Sequence, residues 1–286
     1  MAPPFRRRSC AVTDVGRKRP QNEDAFLADD TLGLYVVADG VGGHAKGEVA
    51  SAEAVEQVRN FMCSAWPELD GYAQELARLD VADADIRETL DELPMAEDEA
   101  ARPGADARIG LRRLLESAVQ SACYFVYGMA EQDPSGTGMS TTLSALLVAG
   151  DHAFVAQVGD SRVYRLHGRP GERRAQQITV DHTLINHQIQ QGLITPEQAA
   201  GMRGRNVITR AVGHRDWVEI DTFALALAPA DRFLICSDGL HGYLREGEVE
   251  LLLGEPTVEG SARRAIELAN DRGGRDNITA VIVNIA

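Results

Sequence analysis

Leu34-Tyr-Val-Val-Ala-Asp39-Gly40-Val-Gly-Gly-His44 is a Val- and Tyr-rich apolar run that ends in Asp-Gly. Such a run is typical of a buried β-strand that stops at a turn, because Asp and Gly tolerate positive φ. The same layout recurs in Phe233-Leu-Ile-Cys-Ser-Asp238-Gly239-Leu240. Asp-Gly after a strand is also the ordinary hairpin signal, so either stretch taken alone predicts only a turn.

Three further acidic positions also lie beside strand-like runs. Asp160 ends the apolar run that begins at Val155, Asp276 precedes the last apolar run, and Glu23-Asp24 precedes the first one. Buried strands bring their ends to one edge of a sheet, where converging carboxylates repel one another and are desolvated. A divalent cation relieves both effects, and a set of oxygen ligands selects Mg²⁺ or Mn²⁺ over zinc. The joint pattern therefore predicts a metal centre.

The rest of the chain alternates groups of strands with helices. The strands group as hairpins and not as βαβ crossovers, which favours antiparallel sheets covered by helices, an α+β fold. The predicted strands are 25–27, 32–38, 141–148, 152–158, 162–166, 221–227, 231–236 and 278–285, and the predicted helices are 48–62, 108–129 and 259–269. We expect residues 1–9 to be a disordered basic N-terminus and 10–286 to be a single domain. Within it, 66–107 is predicted to be an acidic, partly helical surface excursion and 181–213 a flap with helices near 184–191 and 196–202.

Composition excludes several classes of protein. The net charge of −14 argues against nucleic-acid binding, which needs clustered Lys and Arg. Basic residues are locally dense only at Arg6-Arg-Arg8 and at Arg17-Lys-Arg19. There is no apolar run of roughly 20 residues to span a bilayer, and the N-terminus lacks the apolar stretch of a secretory signal. The four cysteines form no CxxC pair, which suits buried thiols in a reducing compartment. We therefore expect a cytoplasmic protein that binds neither membrane nor nucleic acid.

Five ordered motifs carry a resemblance to a known family. They are Arg19-x-x-Asn22-Glu23-Asp24, Asp39-Gly-x-Gly-Gly-His44, Gly159-Asp160-Ser-Arg162, Ser237-Asp238-Gly239 and Asp276-Asn277. From about Cys10 to Ile285 the chain resembles the metal-dependent protein phosphatases of the 2C type in their bacterial form. The resemblance implies an α-β-β-α four-layer sandwich, two central antiparallel sheets flanked by helices. It also implies hydrolysis of phosphoserine and phosphothreonine by a metal-activated water, with two Mn²⁺ or Mg²⁺ ions and a possible third.

The resemblance also implies a role for each matching residue. Asp39 would bridge both ions and the Gly40 carbonyl would complete one of them, while Asp238 and Asp276 would ligate the other. The remaining roles belong to residues around these ligands: Glu23 and Asp24 holding metal-bound waters, Asn277 supporting them, Asp160 holding a third ion with Asp238, and Arg19 binding the substrate phosphate.

The general acid stays open. Eukaryotic members carry a histidine directly after the bridging Asp-Gly, whereas this chain has Val41 there and His44 three residues further on. A structural role in the loop is favoured for His44; a direct acid role for His44 and protonation by a metal-bound water are the alternatives.

Two alternative functions are also open. One is a non-catalytic member of the same fold that binds phosphoproteins, which missing metal ligands would favour; none is missing. The other is a hydrolase of a different phosphate ester, but Gly40-Val-Gly-Gly lacks the Lys-Ser/Thr ending of a P-loop. We expect phosphoprotein substrates, a cognate Ser/Thr kinase and a monomer.

Overall fold

A computed structural model describes residues 5–41, 46–79, 104–169, 171–200, 202, 204 and 207–286. Its strands are β1 Arg7–Asp14, β2 Asp24–Asp29, β3 Leu34–Asp39, β4 Leu143–Ala149, β5 His152–Val158, β6 Arg162–His167, β7 Arg174–Gln177, β8 Asp221–Ala226, β9 Arg232–Cys236 and β10 Ile278–Ile285. Its α-helices are α1 Gly47–Ser64, α2 Trp66–Leu79, α3 Ala105–Gln132, α4 Leu184–Gln190, α5 Pro196–Ala200, α6 Asp238–His241, α7 Glu248–Leu253 and α8 Val258–Asp271.

The strands form two antiparallel sheets of five. The first sheet has the order β2-β3-β4-β5-β8, and the second has the order β1-β10-β9-β6-β7. Every strand pair in both sheets is antiparallel, as the predicted hairpins required. The prediction of an α+β fold with two antiparallel sheets is confirmed.

Side chains alternate between two sides of each sheet. In β3, Tyr35 and Val37 belong to an apolar cluster shared with Phe233 and Val281 of the second sheet. The intervening Val36 and Ala38 belong instead to a cluster with helices α1 and α3. A strand with both faces covered is apolar throughout, which explains the uninterrupted run of residues 34–38. On the far side of the second sheet, α7 and α8 supply Leu252, Ala262 and their neighbours. The layers are therefore helix, sheet, sheet, helix.

Three predicted features need correction. Residues 7–9 are not disordered: Arg7, Arg8 and Ser9 begin β1 and pair with Ile285, Asn284 and Val283. The acidic excursion is not wholly a surface feature, because α2 buries Leu69 and Leu76 in the core beside α3; residues 80–103 lie outside the described residues. Strand β7 and helices α6 and α7, each of six residues or fewer, were not predicted. No helix in the described ranges is both long and apolar enough to cross a membrane.

The predicted flap contains two short helices where the described residues allow a comparison. Helix α4 matches the first candidate and buries Ile185. Helix α5 begins with a reciprocal cap: the Thr195 amide donates to Gln198 Oε1 at 2.8 Å and the Gln198 amide donates to Thr195 Oγ1 at 3.3 Å. Thr195 is therefore the N-cap of α5, the second helix predicted in the flap, and Pro196 is its first residue.

Candidate metal and active site

The two sheets bring the predicted acids to one place. Asp24 is the first residue of β2 and Asp39 the last of β3, and the two face each other in register. At the second sheet, Asp238 comes two residues after the end of β9, and Asp276 comes two residues before β10, the neighbour of β9. Asp160 follows β5. The structure therefore joins carboxylates separated by up to 252 residues of chain, the distance from Asp24 to Asp276.

Their mutual repulsion is visible in the electrostatics of Asp39. Burial raises the pKa of Asp39 well above its ordinary value, and the charges of Asp24, Asp238, Asp160 and Asp276 raise it further, in that order. Burial and then the charge of Asp276 raise the pKa of Asp238 to about 6, although Arg19 and a hydrogen bond with Asp39 act in the opposite direction. The protein thus holds more negative charge here than its own cations compensate.

Asp24 has one oxygen engaged and one without a partner. Its Oδ2 accepts hydrogen bonds from Ser237 Oγ at 2.8 Å and from Thr279 Oγ1 at 2.6 Å. Its Oδ1 is buried and has no hydrogen-bond partner among the residues that the structure describes. Burial is the largest cause that raises the pKa of Asp24 to about 6. A buried carboxylate oxygen without a donor needs either a proton or a cation, directly or through water.

Arg19 lies at the edge of the acid cluster. Its Nη2 donates to Asp276 Oδ2 at 2.8 Å, and 44% of its side chain is exposed. The hydrogen bond to Asp276 is the main reason that the pKa of Arg19 is raised. Within the described part of the chain, no three His, Cys, Asp or Glu side chains are arranged to hold a metal as they stand. The ion pair of Asp276 with Arg19 is one physical reason, because it turns a predicted ligand toward a guanidinium.

Asn277 fixes the loop that carries Glu23. Its Oδ1 accepts from the Glu23 amide at 2.9 Å, and its Nδ2 donates to the carbonyls of Gln21 at 2.9 Å and Val15 at 3.0 Å. The predicted supporting residue therefore contacts the backbone of the acidic loop and not its carboxylates. Asn277 is 4% exposed, so these bonds are shielded from water.

Two glycines are required by close approach at the site. A Cβ on Gly40 would lie 2.4 Å from the Gly47 carbonyl oxygen and 2.7 Å from that of Glu23. A Cβ on Gly239 would lie 1.9 Å from the Asn277 carbonyl oxygen. The Asp-Gly pairs that resembled ordinary turns in the sequence are thus places where two chain segments touch.

Asp160 contacts residues to which sequence reasoning gave no role. His241 in α6 lies with its Nε2 2.8 Å from the Asp160 carbonyl oxygen, so the ring N–H donates. Burial, followed by the charges of Asp238 and Asp181, raises the pKa of Asp160 to about 7. Arg162 holds Asp181 by two bonds, at 2.8 Å from Nε and 2.6 Å from Nη2. The position of His241, one helical turn after Asp238, is the signal that could have pointed to it.

His44 lies outside the described residues, so its contacts cannot be compared with its predicted role. The described residue nearest to it on that side, Val41, donates its amide to the Ser140 carbonyl at 2.9 Å.

The donor set fits divalent metal ions. It is built from carboxylates and a backbone carbonyl, it holds surplus negative charge, and it contains a buried oxygen with no donor. An arginine at its rim suits a phosphate, because guanidinium pairs with two phosphate oxygens at once. Fold and site together define a metal-dependent phosphoryl hydrolase.

Comparison with known proteins gives the family. The sequence profile of the protein phosphatase 2C family matches residues 17–280. A serine/threonine phosphatase stp of Listeria innocua is 33% identical over 275 residues, which cover 95% of this chain and 93% of that protein. The crystal structure of the Mycobacterium tuberculosis serine/threonine phosphatase PstP/Ppp superposes with a TM-score of 0.74 at 32% identity, covering 97% of this chain and 98% of the other.

A structure of the catalytic domain of PstP in complex with two manganese ions is also similar, with a TM-score of 0.71 at 32% identity over 99% of both chains. The chain belongs to the protein phosphatase 2C family, as its five motifs predicted. The prediction of a metal-dependent protein phosphatase is confirmed at the level of that family.

Proposed function

We propose that this protein hydrolyses phosphoserine and phosphothreonine in proteins at a site that binds two divalent ions, Mn²⁺ or Mg²⁺. The observation that carries the proposal is the group of five aspartates formed by Asp39 and the four around it, whose charges oppose one another without enough protein cations to balance them. Similarity to proteins named serine/threonine phosphatases supports the substrate class. The two manganese ions of the PstP catalytic domain support the number of ions.

In this proposal Asp39 would hold both ions, with the Gly40 carbonyl completing one of them and Asp238 and Asp276 ligating the other. The ions, when bound, acidify a water and neutralise charge on the phosphoryl group. Asp24 and Glu23 orient water: the free Oδ1 of Asp24 supplies an acceptor, and Asn277 fixes the Glu23 backbone. Asp160 is proposed to share a third ion with Asp238. The proposal is supported by the charge of Asp238, which raises the pKa of Asp160 more than any other neighbouring charge does.

Arg19 binds and orients the substrate phosphate. Its half-exposed guanidinium pairs with Asp276 at 2.8 Å, and we propose that it exchanges this partner for phosphate oxygens when Asp276 serves as a ligand. In-line displacement needs positioning and charge neutralisation more than it needs a protein nucleophile. The phosphoproteins are proposed to be products of a Ser/Thr kinase. The monomeric state and the cytoplasmic location stay predictions.

The test is hydrolysis of a phosphothreonine peptide during a Mn²⁺ titration, starting from chelator-treated protein. We expect no activity in chelator, recovery with Mn²⁺ or Mg²⁺, and faster turnover of the peptide than of a nucleoside phosphate. Asp238→Asn should abolish the recovery, whereas Asp106→Asn, the same change at an exposed position on α3, should leave it intact. Full activity in chelator, or in Asp238→Asn, would rule out the metal mechanism.

A further inference from the structure

The basic segment Arg17-Lys-Arg19 packs against a second loop, which is far away in the sequence and carries Arg275. It lies in the loop between β1 and β2, and the Arg17 amide donates to the Gly274 carbonyl at 2.6 Å. A Cβ on Gly274 would lie 2.8 Å from Arg17 Cγ, so the two loops are packed closely. Arg275, the next residue, therefore lies beside this loop. The next residue of each loop, Arg19 after Lys18 and Asp276 after Arg275, belongs to the ion pair at the edge of the acid cluster.

Three cationic side chains on this surface are exposed to solvent. Arg17, Lys18 and Arg275 make no ion pair with any residue that the structure describes. The nearby carboxylate of Asp14 is engaged with the Gly16 amide at 2.8 Å and with Asn270 Nδ2 at 3.1 Å. We call Arg17, Lys18 and Arg275 the basic rim.

The rim contrasts with the chain as a whole, whose net charge is −14. A locally positive surface on an acidic protein steers anionic groups to itself and away from the remaining surface. Arg19 is next to the rim along the chain and is the proposed ligand of the phosphate. An extended peptide advances about 3.3 Å per residue. Lys18 and Arg17 come one and two residues before Arg19, so acidic side chains within two or three residues of the phosphorylated one are spaced over the same length of chain as these cations.

We propose that the basic rim selects phosphorylated segments that carry Asp or Glu beside the phosphorylated residue. The inference rests on the proposed function and names the substrate class of the same site. Each exposed charge pair contributes little, about a two- to fivefold preference. Three rim cations acting together give a preference of roughly tenfold for acidic over neutral neighbours, expressed mainly in association.

The experiment compares two phosphothreonine peptides of equal length, one with Glu and one with Gln on both sides of the phosphorylated residue. The measured quantity is the ratio of their kcat/KM values on one enzyme, so that a general loss of activity cancels. The wild type should prefer the Glu peptide by roughly tenfold at about 0.05 M salt and much less at about 0.5 M, because salt screens exposed charges.

The triple variant Arg17→Gln, Lys18→Gln, Arg275→Gln should bring the ratio close to one. The single variant Lys18→Gln, at an exposed position, should lower it about twofold. The matched control, Arg59→Gln, Arg113→Gln, Arg169→Gln, makes the same change in net charge at exposed positions outside the two loops and should keep the wild-type ratio.

A triple variant that keeps the preference for the Glu peptide overturns the proposed role of the basic rim. A control variant that loses the preference to the same extent also overturns it, because the effect would then come from net charge alone. A wild type that hydrolyses both peptides at equal rates overturns this inference and leaves the proposed function standing. A wild type that hydrolyses neither, with Mn²⁺ present, overturns both.

Discussion

Asp160→Asn is expected to stabilise the chelator-treated protein at pH 8 and to change its stability little at pH 4. Asp160 is 7% exposed, and burial together with the charges of Asp238 and Asp181 raises its pKa to about 7. Asn has nearly the same shape and carries no charge. The backbone bond from His241 to the Asp160 carbonyl does not depend on the side chain and should survive the substitution.

The direction in which stability changes with pH follows from proton binding. Between its ordinary pKa of 3.8 and the folded value of about 7, the folded protein holds a proton that the unfolded chain has released. Stability of the wild type therefore falls as the pH rises through this window, and the loss is complete above about pH 7. A pKa difference of this size corresponds to roughly 4 kcal/mol. The substitution also removes the repulsion between Asp160 and Asp238, whereas local relaxation of the wild type already offsets part of the cost of the buried charge. We therefore expect the unfolding free energy of Asp160→Asn to exceed that of the wild type by about 2 to 4 kcal/mol at pH 8.

The assay is chemical denaturation in excess chelator at both pH values, with Asp231→Asn as a control of opposite sign. Asp231 is also buried, at 1% exposure, but its Oδ2 accepts from Arg165 Nη2 at 2.6 Å and from Nε at 3.1 Å. Removing that charge leaves a buried guanidinium without its partner and should cost about 3 to 5 kcal/mol. Adding Mn²⁺ should stabilise the wild type more than Asp160→Asn. An Asp160→Asn variant that is no more stable than the wild type at pH 8, or gains equally at pH 4, would refute the reasoning.

Three further outcomes are expected. Asp39→Asn should lose phosphopeptide hydrolysis by roughly a hundredfold or more while keeping its circular dichroism spectrum, because Asp39 is the proposed bridge between the ions; an active, folded variant contradicts that role. Asn277→Ala should lose about 3 kcal/mol of unfolding free energy with its three backbone hydrogen bonds, and bind Mn²⁺ about tenfold more weakly by calorimetry. Gly239→Ala should lower the unfolding free energy by about 1 to 3 kcal/mol or more in thermal denaturation, since its Cβ would meet the Asn277 carbonyl at 1.9 Å; an unchanged melting temperature would show that the loop moves freely.

The central hairpins were predictable because their pattern is local. The predicted strands 25–27 and 32–38 match β2 and β3, and 141–148 and 152–158 match β4 and β5. Each pair is joined by a short turn and is apolar where both faces are covered, so local sequence decides it. The helices α1, α3 and α8 were likewise found from apolar residues at helical spacing.

Strand β1 could not be found in this way. Its first residues, Arg7 and Arg8, are polar, and its partner β10 lies more than 260 residues further along the chain. At the edge of the sheet it pairs on one side only, so it tolerates charged side chains that a central strand would not. Local composition therefore predicts disorder for residues 7–9, which are the beginning of β1.

The acids of the site and Asn277 were identified by motif, but His241 was not, and neither was the distant partner of Asn277. His241 reaches the Asp160 carbonyl across 81 positions, and Asn277 reaches Glu23 across 254. Asn277 directly follows Asp276, and His241 comes three positions after Asp238, but each forms a hydrogen bond with a backbone atom of a distant segment. Their closeness to an acid in the sequence points to the two residues, whereas the partner of each contact is revealed only by the folded chain.

The acid cluster lies at the junction of the two sheets, and this explains how the fold tolerates it. Asp24 and Asp39 belong to strands of the first sheet, whereas Asp238 and Asp276 lie just beyond the ends of β9 and β10 in the second. The bond from Thr279 Oγ1 to Asp24, at 2.6 Å, crosses from one sheet to the other beside the carboxylates. The apolar layer between the sheets, which includes Tyr35 and Phe233, fixes their separation independently of the site. Repulsion among the carboxylates is therefore resisted by sheet packing, and the same packing keeps them close enough to share metal ions.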